Sequence, residues 1–201
     1  MMDWTAFEDQ ARTEGYTCIC GIDEAGRGPL AGPVYAAAVV LRPGQVIEGV
    51  NDSKKLSEKK REALFDTICS QCAAYGIGSA TEKEIDEINI LNATYLAMQR
   101  AVAALPVQPD CALVDGNRAP DLPLEVRTII KGDAQSASIA AASILAKVSR
   151  DRYMLQMAEK YPQYAFEKHK GYGTKLHYER LEQYGISPIH RLSFLKKWMN
   201  R

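Results

Sequence analysis

The sequence lacks the features of membrane and secreted proteins. No apolar run approaches the roughly 20 residues that a membrane-spanning helix needs. The segment Met1-Met2-Asp3-Trp4 has no cationic stretch followed by an apolar one, so we expect no secretory signal. Five cysteines, an odd number in a chain of 201 residues, do not form the pattern of a disulfide framework. We therefore predict a cytoplasmic protein without a membrane partner.

A net charge of either sign is also absent, since 25 Lys and Arg balance 25 Asp and Glu. The distribution is uneven: residues 147–201 contain twelve Lys and Arg against five Asp and Glu, and the rest of the chain has the opposite excess. A basic C-terminal quarter beside an acidic remainder is typical of an enzyme that binds a polyanion with one part and cations with another. A solvated cationic helix surface is the alternative interpretation.

The familiar phosphate-binding loops are missing as well. Residues 26–33 are rich in glycine but lack the Gly-Lys-Ser/Thr ending of a P-loop. A second strand follows them and not a helix, which excludes a dinucleotide-binding fingerprint. The glycines on both sides of Arg27 would instead let the backbone approach a ligand closely, with exposed amides as donors. This segment is therefore a candidate ligand contact.

Hydrophobic periodicity predicts five strands and three long helices. The strands are 17–23, 33–41, 73–80, 110–115 and 125–130, and the helices are 57–72, 81–104 and 133–160. Three strands come early and later strands alternate with helices, which predicts an α/β fold with a mixed five-stranded sheet flanked by helices. Residues 1–160 are the predicted core, and residues 161–201 are a small, basic, helical C-terminal extension.

Acidic residues follow three of the predicted strands. Asp23 and Glu24 end the first strand, Asp115 ends the fourth, and Asp133 follows the fifth. If these strand ends lie side by side, their carboxylates can hold two hard cations such as Mg²⁺, which can drive phosphodiester hydrolysis. Asp23 and Glu24 can reach one site only where the strand ends or bulges, because neighbouring strand residues point to opposite faces. As structural alternatives, Asp115 suits a turn and Asp133 suits a helix N-cap.

Cations and one aromatic residue are further candidate contacts to a nucleic acid. Ser53, Lys54 and Lys55 precede a predicted helix, a position that suits phosphate binding. Tyr172 stands between glycines in a lysine-rich segment, where its ring can stack on a sugar or a base. Plain surface lysines and an ordinary loop are the alternatives.

Six motifs together resemble those of bacterial ribonuclease HII, the type 2 ribonuclease H. They extend over nearly the whole chain, from about Tyr16 to Phe194, and as a set they are highly specific. The motifs are Gly21-Ile-Asp-Glu-Ala-Gly-Arg-Gly28, Asp52-Ser-Lys-Lys-Leu56, Val114-Asp115-Gly116, Lys131-Gly-Asp133, Ala140-Ala-Ala-Ser-Ile-Leu-Ala-Lys147 and Lys170-Gly-Tyr-Gly-Thr174.

This resemblance implies a ribonuclease H-like fold and a metal-dependent endonuclease. The implied reactions are cleavage of the RNA strand of RNA/DNA hybrids and incision 5′ to single ribonucleotides in duplex DNA, a step of ribonucleotide excision repair. The implied products carry a 3′-hydroxyl and a 5′-phosphate, and two Mn²⁺ or Mg²⁺ ions act in the catalytic complex. We expect a monomer whose partners are RNA/DNA hybrids and DNA duplexes that contain ribonucleotides.

The resemblance also implies a role for each acid. Asp23, Glu24 and Asp115 match metal ligands of the family, and Asp133 matches an acid that shares in holding the second ion. All four acids are therefore expected to be catalytic.

Recognition of the substrate is implied for a second set of residues. Gly26, Arg27 and Gly28 match the segment that contacts the 2′-hydroxyl and the scissile phosphate, and Tyr172 matches the tyrosine that stacks at the RNA-to-DNA junction. This agrees with the chemistry, because the 2′-hydroxyl alone distinguishes RNA from DNA at a given nucleotide. Further substrate contacts are expected at Ser53, Lys54, Lys55 and Lys131.

Two other classes of protein remain as alternatives. A Holliday-junction resolvase or an integrase core would use similar acids on the same fold, but it would not need a Gly-Arg-Gly segment beside the first two. A non-catalytic nucleic-acid binding module would be expected to have lost acids, and none is missing.

Overall fold

One mixed sheet forms the centre of the molecule. The computed structural model describes residues 3–51, 53 and 56–200. The strand order is β3-β2-β1-β4-β5, in which β1, β2 and β3 are antiparallel neighbours and β1, β4 and β5 are parallel. The strands are β1 (Ile19–Ala25), β2 (Val34–Val40), β3 (Ala74–Ala80), β4 (Cys111–Asp115) and β5 (Glu125–Ile129). The predicted five-stranded α/β fold is confirmed.

Seven helices surround this sheet in the described part of the chain. They are α1 (Ala6–Thr13), α2 (Glu58–Gln71), α3 (Glu82–Ala103), α4 (Ala137–Lys160), α5 (Phe166–His169), α6 (Lys175–Tyr184) and α7 (Leu192–Met199). None of the helices in the described ranges is long and apolar enough to cross a membrane.

The two faces of the sheet are covered by different helices because strand side chains alternate. On β1, Cys20 and Ile22 pack in the cluster that includes the buried face of α3. Ile19 points the other way and packs with Ala11 of α1 and Ile139 of α4. The central strand β1 is thus buried on both of its faces.

The close approach of α4 to the sheet depends on small residues. A Cβ atom on Gly21 of β1 would lie only 2.3 Å from the backbone nitrogen of Ile139, so any larger residue would push α4 away. Ala140, Ala141 and Ala142 of α4 are all fully buried. The alanine-rich start of this helix therefore packs against the sheet.

Two helix boundaries differ from the predictions. The helix predicted to begin at Asp133 begins at Ala137, because the Ser136 hydroxyl caps it by accepting from the Ile139 amide at 3.2 Å. Residues Gly132–Ala134 form a separate 3₁₀ turn that carries Asp133. The predicted helix over 81–104 is interrupted at Asn89, whose φ of 68° is left-handed and whose side chain caps the following turn.

The C-terminal segment after α4 folds back onto the loop that follows β1. The Leu30 amide donates to the Gly171 carbonyl at 2.8 Å, and the Gly32 amide donates to the Ile189 carbonyl at 2.9 Å. The predicted helical character of this segment is confirmed by α5, α6 and α7. The division of the chain at residue 160 stays a prediction.

Candidate active site

Asp23 and Asp115 come together through the register of two parallel strands. Ile22 of β1 pairs with Val114 of β4, so the next residue of each strand emerges at the same edge of the sheet. Asp133 arrives at this edge on the 3₁₀ turn after β5. One carboxylate oxygen from each of these three aspartates lies within 4.8 Å of the others. The expectation that the strand-end acids form one group is met for these three residues.

Backbone and hydroxyl donors fix the orientation of the carboxylates. Asp23 accepts from the Glu24 amide at 2.7 Å and from the Ser143 hydroxyl. Asp115 accepts from the Gly132 amide at 2.6 Å, which holds the turn carrying Asp133 against β4. A Cβ on Gly132 would lie 2.6 Å from the end of the Ile139 side chain, so this turn fits best with glycine.

The electrostatics of the group favour a bound cation. Asp23 is 5% exposed and Asp133 is 4% exposed. Burial, together with the charges of Glu24 and Asp115, raises the pKa of Asp23 well above its usual value. Several buried carboxylates in contact repel one another unless a positive charge lies between them. The set consists only of oxygen donors, which fits a hard divalent ion such as Mg²⁺ or Mn²⁺.

Glu24 lies beside this group and not within it. β1 pairs regularly with β2 through Ala25, so the strand has no bulge that would turn the Asp23 and Glu24 side chains to the same side. The Glu24 carboxylate is 3.3 Å from the Arg27 guanidinium. It nevertheless lines the same cavity as Asp23 and Asp115, because β1 has lost its β4 neighbour at this point.

A cavity of about 290 Å³ opens in front of Asp23, Glu24 and Asp115, whereas Asp133 is not among its lining residues. Among the predicted site residues, its walls include Asp23, Glu24, Asp115, Gly26, Arg27, Gly28, Ser53 and Tyr172. The Tyr172 ring is 43% exposed and lies 3.8 Å from the position that a Cβ on Gly28 would take. The Gly-Arg-Gly segment and Tyr172 therefore lie next to each other on the wall of this cavity.

The predicted polar contacts have different outcomes. Ser53 is buried, and its hydroxyl lies 2.8 Å from that of Ser143, which in turn bonds Asp23. Lys131 is exposed in a left-handed conformation just before the Asp133 turn, and it is not among the residues that line the cavity. Lys54 and Lys55 lie outside the described residues.

Sequence reasoning missed several residues that line this cavity. Ser143 and Lys147 face it from α4, and the Lys147 ammonium is held by Asp151 at 2.7 Å. Their spacing of four residues places all three on one side of the helix, a signal that the alanine-rich packing pattern obscured. Arg61 of α2 also lines the cavity and donates to the Ser53 carbonyl at 2.9 Å.

The geometry agrees with the comparison to known families. A family model described as Ribonuclease HII matches residues 20–197 of the chain. The chain belongs to the ribonuclease HII family. The Ribonuclease HII of Caldicellulosiruptor bescii is 60% identical over 189 residues, which cover 94% of this chain and 92% of that protein. The Ribonuclease HII of Clostridioides difficile is 58% identical over 190 residues, which cover 94% of this chain and 74% of that protein.

A solved structure supports the same assignment. The crystal structure of the ribonuclease H2 from Pyrococcus horikoshii OT3 is similar with a TM-score of 0.73 and 30% identity, over 88% of this chain and 93% of that one. The ribonuclease H-like fold is thereby confirmed. As a ribonuclease HII the chain is a hydrolase of the RNA in RNA/DNA hybrids. The family needs a divalent metal, and the three aspartates fit that need.

Proposed function

We propose that this ribonuclease H also incises duplex DNA on the 5′ side of a single embedded ribonucleotide, leaving a 3′-hydroxyl and a 5′-phosphate. The observation that carries the proposal is the position of the Gly26–Gly28 segment and Tyr172 on the wall of the cavity that Asp23 and Asp115, two of the three clustered aspartates, also line. Cutting and recognition then share one cavity. This activity would begin the removal of ribonucleotides from DNA.

The acids are proposed to form a two-metal centre. Asp23, Asp115 and Asp133 would hold two ions, Mn²⁺ or Mg²⁺, with Glu24 as a further ligand from the same cavity wall. When bound, such ions supply an activated water and neutralise the charge that develops on the phosphoryl and leaving oxygens. The protein contributes rigid carboxylates, because the amides of Glu24 and Gly132 fix Asp23 and Asp115.

Cations around the acids are proposed to bind the substrate phosphates. The Lys147 ammonium, held by Asp151, lies on the cavity wall and suits a phosphate oxygen. Arg27, whose side chain is 49% exposed, lies on the same wall. We propose that Ser53 and Lys131 also contact the substrate, as do Lys54 and Lys55, which lie outside the described residues.

Selection of the ribonucleotide is proposed to need two recognition elements, which we call readers. The Gly26–Gly28 segment is the first reader and Tyr172 is the second. The backbone of Gly26–Gly28 can approach the 2′-hydroxyl closely and supply hydrogen-bond donors to it. The Tyr172 ring would pack against the next sugar, where it tolerates deoxyribose and clashes with a 2′-hydroxyl. Because the ring lies beside Gly28, the two readers would contact adjacent nucleotides and select an RNA-to-DNA step.

The remaining predictions concern the setting of the reaction. The C-terminal segment 161–201 is proposed as a basic extension that contacts the duplex, with the exposed Lys168 and Lys175 among its cations. We further propose that the enzyme acts as a cytoplasmic monomer on hybrids and on DNA duplexes that contain ribonucleotides.

A direct cleavage assay tests this proposal. An end-labelled duplex with one ribonucleotide is incubated with Mg²⁺ or Mn²⁺ beside an all-DNA duplex of the same sequence. We expect one nick, on the 5′ side of the ribonucleotide, and no product from the all-DNA duplex. Cleavage of both duplexes, or of neither, would show that the proposed selectivity is wrong.

A further inference from the structure

Two adjacent buried residues of the C-terminal segment reach both of the proposed readers. His190 and Arg191 are 3% and 0% exposed. They lie along the loop after β1, where His190 forms an antiparallel bridge with Ala31 and the Arg191 amide donates to the Leu30 carbonyl at 2.8 Å. The family assignment and the acidic cluster give no role to this dipeptide.

The Arg191 guanidinium binds the backbone of the first reader. It donates to the carbonyl of Gly26 at 2.6 Å, to that of Arg27 at 2.9 Å and to that of Gly32 at 2.8 Å. Burial and the nearby Arg150 lower the pKa of Arg191 to about 9, so the group is still charged at neutral pH. These are charge-assisted hydrogen bonds, which are stronger than neutral ones.

These bonds determine where the reader amides point. In a trans peptide the carbonyl of one residue and the amide of the next point in opposite directions, and the described residues contain no cis peptide. Because the Gly26 and Arg27 carbonyls face Arg191, the amides of Arg27 and Gly28 point to the opposite side. Arg27 and Gly28 line the cavity whereas Arg191 does not, so the side away from Arg191 is taken to be the cavity side. Arg191 thus turns two donors towards the place of the substrate.

A chain of hydrogen bonds through two histidines reaches the second reader. The Ser187 amide donates to His190 Nδ1 at 2.9 Å, so the proton of the neutral His190 ring is on Nε2. His190 Nε2 lies 3.0 Å from His177 Nε2, which must therefore accept. His177 Nδ1 then carries a proton and donates to the Tyr172 carbonyl at 2.9 Å. One fixed backbone donor sets the tautomer of both rings.

His169, the remaining histidine of the chain, binds the same loop at Gly171, the residue before Tyr172. His169 Nδ1 accepts from the Gly171 amide at 3.2 Å, and its ring stacks on that of His177 with centroids 4.2 Å apart. Burial lowers the pKa of both His177 and His190 to about 4, so both rings are neutral at pH 7. The backbone on both sides of the Gly171–Tyr172 peptide is therefore held by histidines.

We propose that the dipeptide His190-Arg191 is the positioning element of ribonucleotide recognition. Arg191 orients the amides of the Gly26–Gly28 segment, and His190, acting through His177, orients Tyr172. The inference rests on the proposed function, which gives the two readers their roles. Arg191 is expected to affect the cleavage of every substrate whose 2′-hydroxyl must be recognised. His190 is expected to affect only the cleavage of substrates in which Tyr172 contacts an RNA-to-DNA junction.

Three variants of the dipeptide test these claims. Arg191→Lys keeps the positive charge but replaces the planar fork of three donor nitrogens by a single ammonium nitrogen, which cannot reproduce the three separate contacts. His190→Asn places an amide oxygen where Nδ1 was and leaves nothing to reach His177, whereas His190→Gln places an amide nitrogen near the former Nε2. Tyr164→Phe is a matched control, because Tyr164 packs edge-on against the His190 ring at 5.2 Å and, among the described residues, its hydroxyl donates to the carbonyls of Tyr184 and Gly185, which belong to neither reader.

Each variant is assayed for kcat and KM on two substrates, a DNA duplex with one ribonucleotide and an RNA/DNA hybrid without a junction. Mn²⁺ affinity and the thermal unfolding midpoint are measured beside them. We expect Arg191→Lys to lose about 100-fold in kcat/KM on both substrates. His190→Asn should lose about tenfold on the single ribonucleotide only, and His190→Gln should recover most of that loss. Mn²⁺ affinity should stay at the parent value in all variants.

A double-mutant cycle separates positioning from simple destabilisation. In a Tyr172→Ala background, His190→Asn should cause no further loss, because the group that it positions is already gone. For His190→Asn, equal losses on both substrates or additive losses in the cycle would overturn the inference, as would an Arg191→Lys variant that keeps the parent's kcat/KM on both substrates. If Arg191→Lys does not fold, the comparison of His190→Asn with His190→Gln decides. A parent enzyme that ignores ribonucleotides refutes the proposed function and the inference together; a selective parent whose His190→Asn variant is equally selective refutes the inference alone.

Discussion

Asp23 and Asp115 emerge side by side from β1 and β4, one residue beyond the parallel pair Ile22 and Val114. This adjacency is a property of the strand register and needs no loop rearrangement. The Gly132 amide then fixes Asp115 at 2.6 Å and brings the turn carrying Asp133 to the same place. The acidic cluster is therefore built mainly from backbone geometry, and conservative changes of its side chains should alter the chemistry and leave the fold intact.

The first prediction concerns Asp115. Asp115→Asn keeps the shape of the side chain and the acceptor for the Gly132 amide but removes a charge from the metal-binding group. We expect cleavage to fall by about 1,000-fold or more, while binding of the duplex is retained. Gel-shift titration and single-turnover cleavage measure the two effects separately.

Asp110→Asn is the matched control for that prediction. Asp110 immediately precedes the opposite end of β4 and accepts from the amides of Thr17 and Cys18. We expect it to lower the free energy of unfolding by about 1 kcal/mol and to leave cleavage unchanged. Full turnover by Asp115→Asn would remove Asp115 from the site.

The second prediction concerns Asp23 in the absence of metal. Burial and the charges of Glu24 and Asp115 raise its pKa, so its ionised form destabilises the folded state at neutral pH. Asp23→Asn should therefore raise the free energy of unfolding of the metal-free protein at pH 7 by an amount on the order of 1 kcal/mol or more, which raises the thermal midpoint, and it should abolish cleavage. Thermal unfolding in a chelator measures this, and a variant less stable than the parent would contradict it.

The third prediction concerns Tyr172, whose ring lies beside Gly28 and 5.7 Å from the Arg150 guanidinium. Tyr172→Ala should slow cleavage at a single ribonucleotide by about ten- to hundredfold, since stacking on an aromatic ring is worth about 1–3 kcal/mol. Tyr172→Phe keeps the ring and should behave like the parent. A Tyr172→Ala variant that cuts as fast as the parent would disprove the junction role.

The fourth prediction concerns the stability of the protein in acid. His177 and His190 have a pKa of about 4 in the folded state, against about 6.5 when unfolded. Between these values the unfolded chain binds more protons, so stability is complete above about pH 6.5 and is lost as the pH falls towards 4. Each histidine contributes a slope of up to about 1.4 kcal/mol per pH unit.

Urea unfolding at several pH values measures that slope. His190→Gln removes one of the titrating groups while keeping a side chain that can reach His177, so the slope should fall by about one histidine's share. His169 adds to the slope in the parent and in the variant, since burial lowers its pKa too. An identical slope in the parent and the variant would show that His190 is not held neutral in the folded state.

Much of the fold was predictable because local patterns agree with it. The apolar runs of β1 and β4, each followed by an acid, indicated which segments form the sheet. The prediction failed at Asp133, where two residues able to cap a helix, Asp133 and Ser136, compete. The contact of Gly132 with Asp115 decides between them, and that contact is tertiary.

The acidic residues of the site could be predicted from the sequence, but the contacts that position the site residues could not. Asp23 and Asp115 can be identified from the sequence because they are acidic residues that follow apolar runs. The arrangement that excludes Glu24 from the three-acid group depends on the regular pairing of β1 with β2 through Ala25. Arg191 contacts carbonyls at the other end of the chain, and no periodicity in the sequence records a contact of that kind.

The central claim is that the three aspartates at the carboxyl edge of β1, β4 and the turn after β5 are the metal centre. Calorimetric titration with Mn²⁺ tests it most directly, on the parent, on Asp23→Asn, Asp115→Asn and Asp133→Asn, and on the control Asp110→Asn. We expect parent and control to bind Mn²⁺ equally and each of the three cluster variants to bind it at least about tenfold more weakly. Unchanged Mn²⁺ affinity in all three cluster variants would contradict the account.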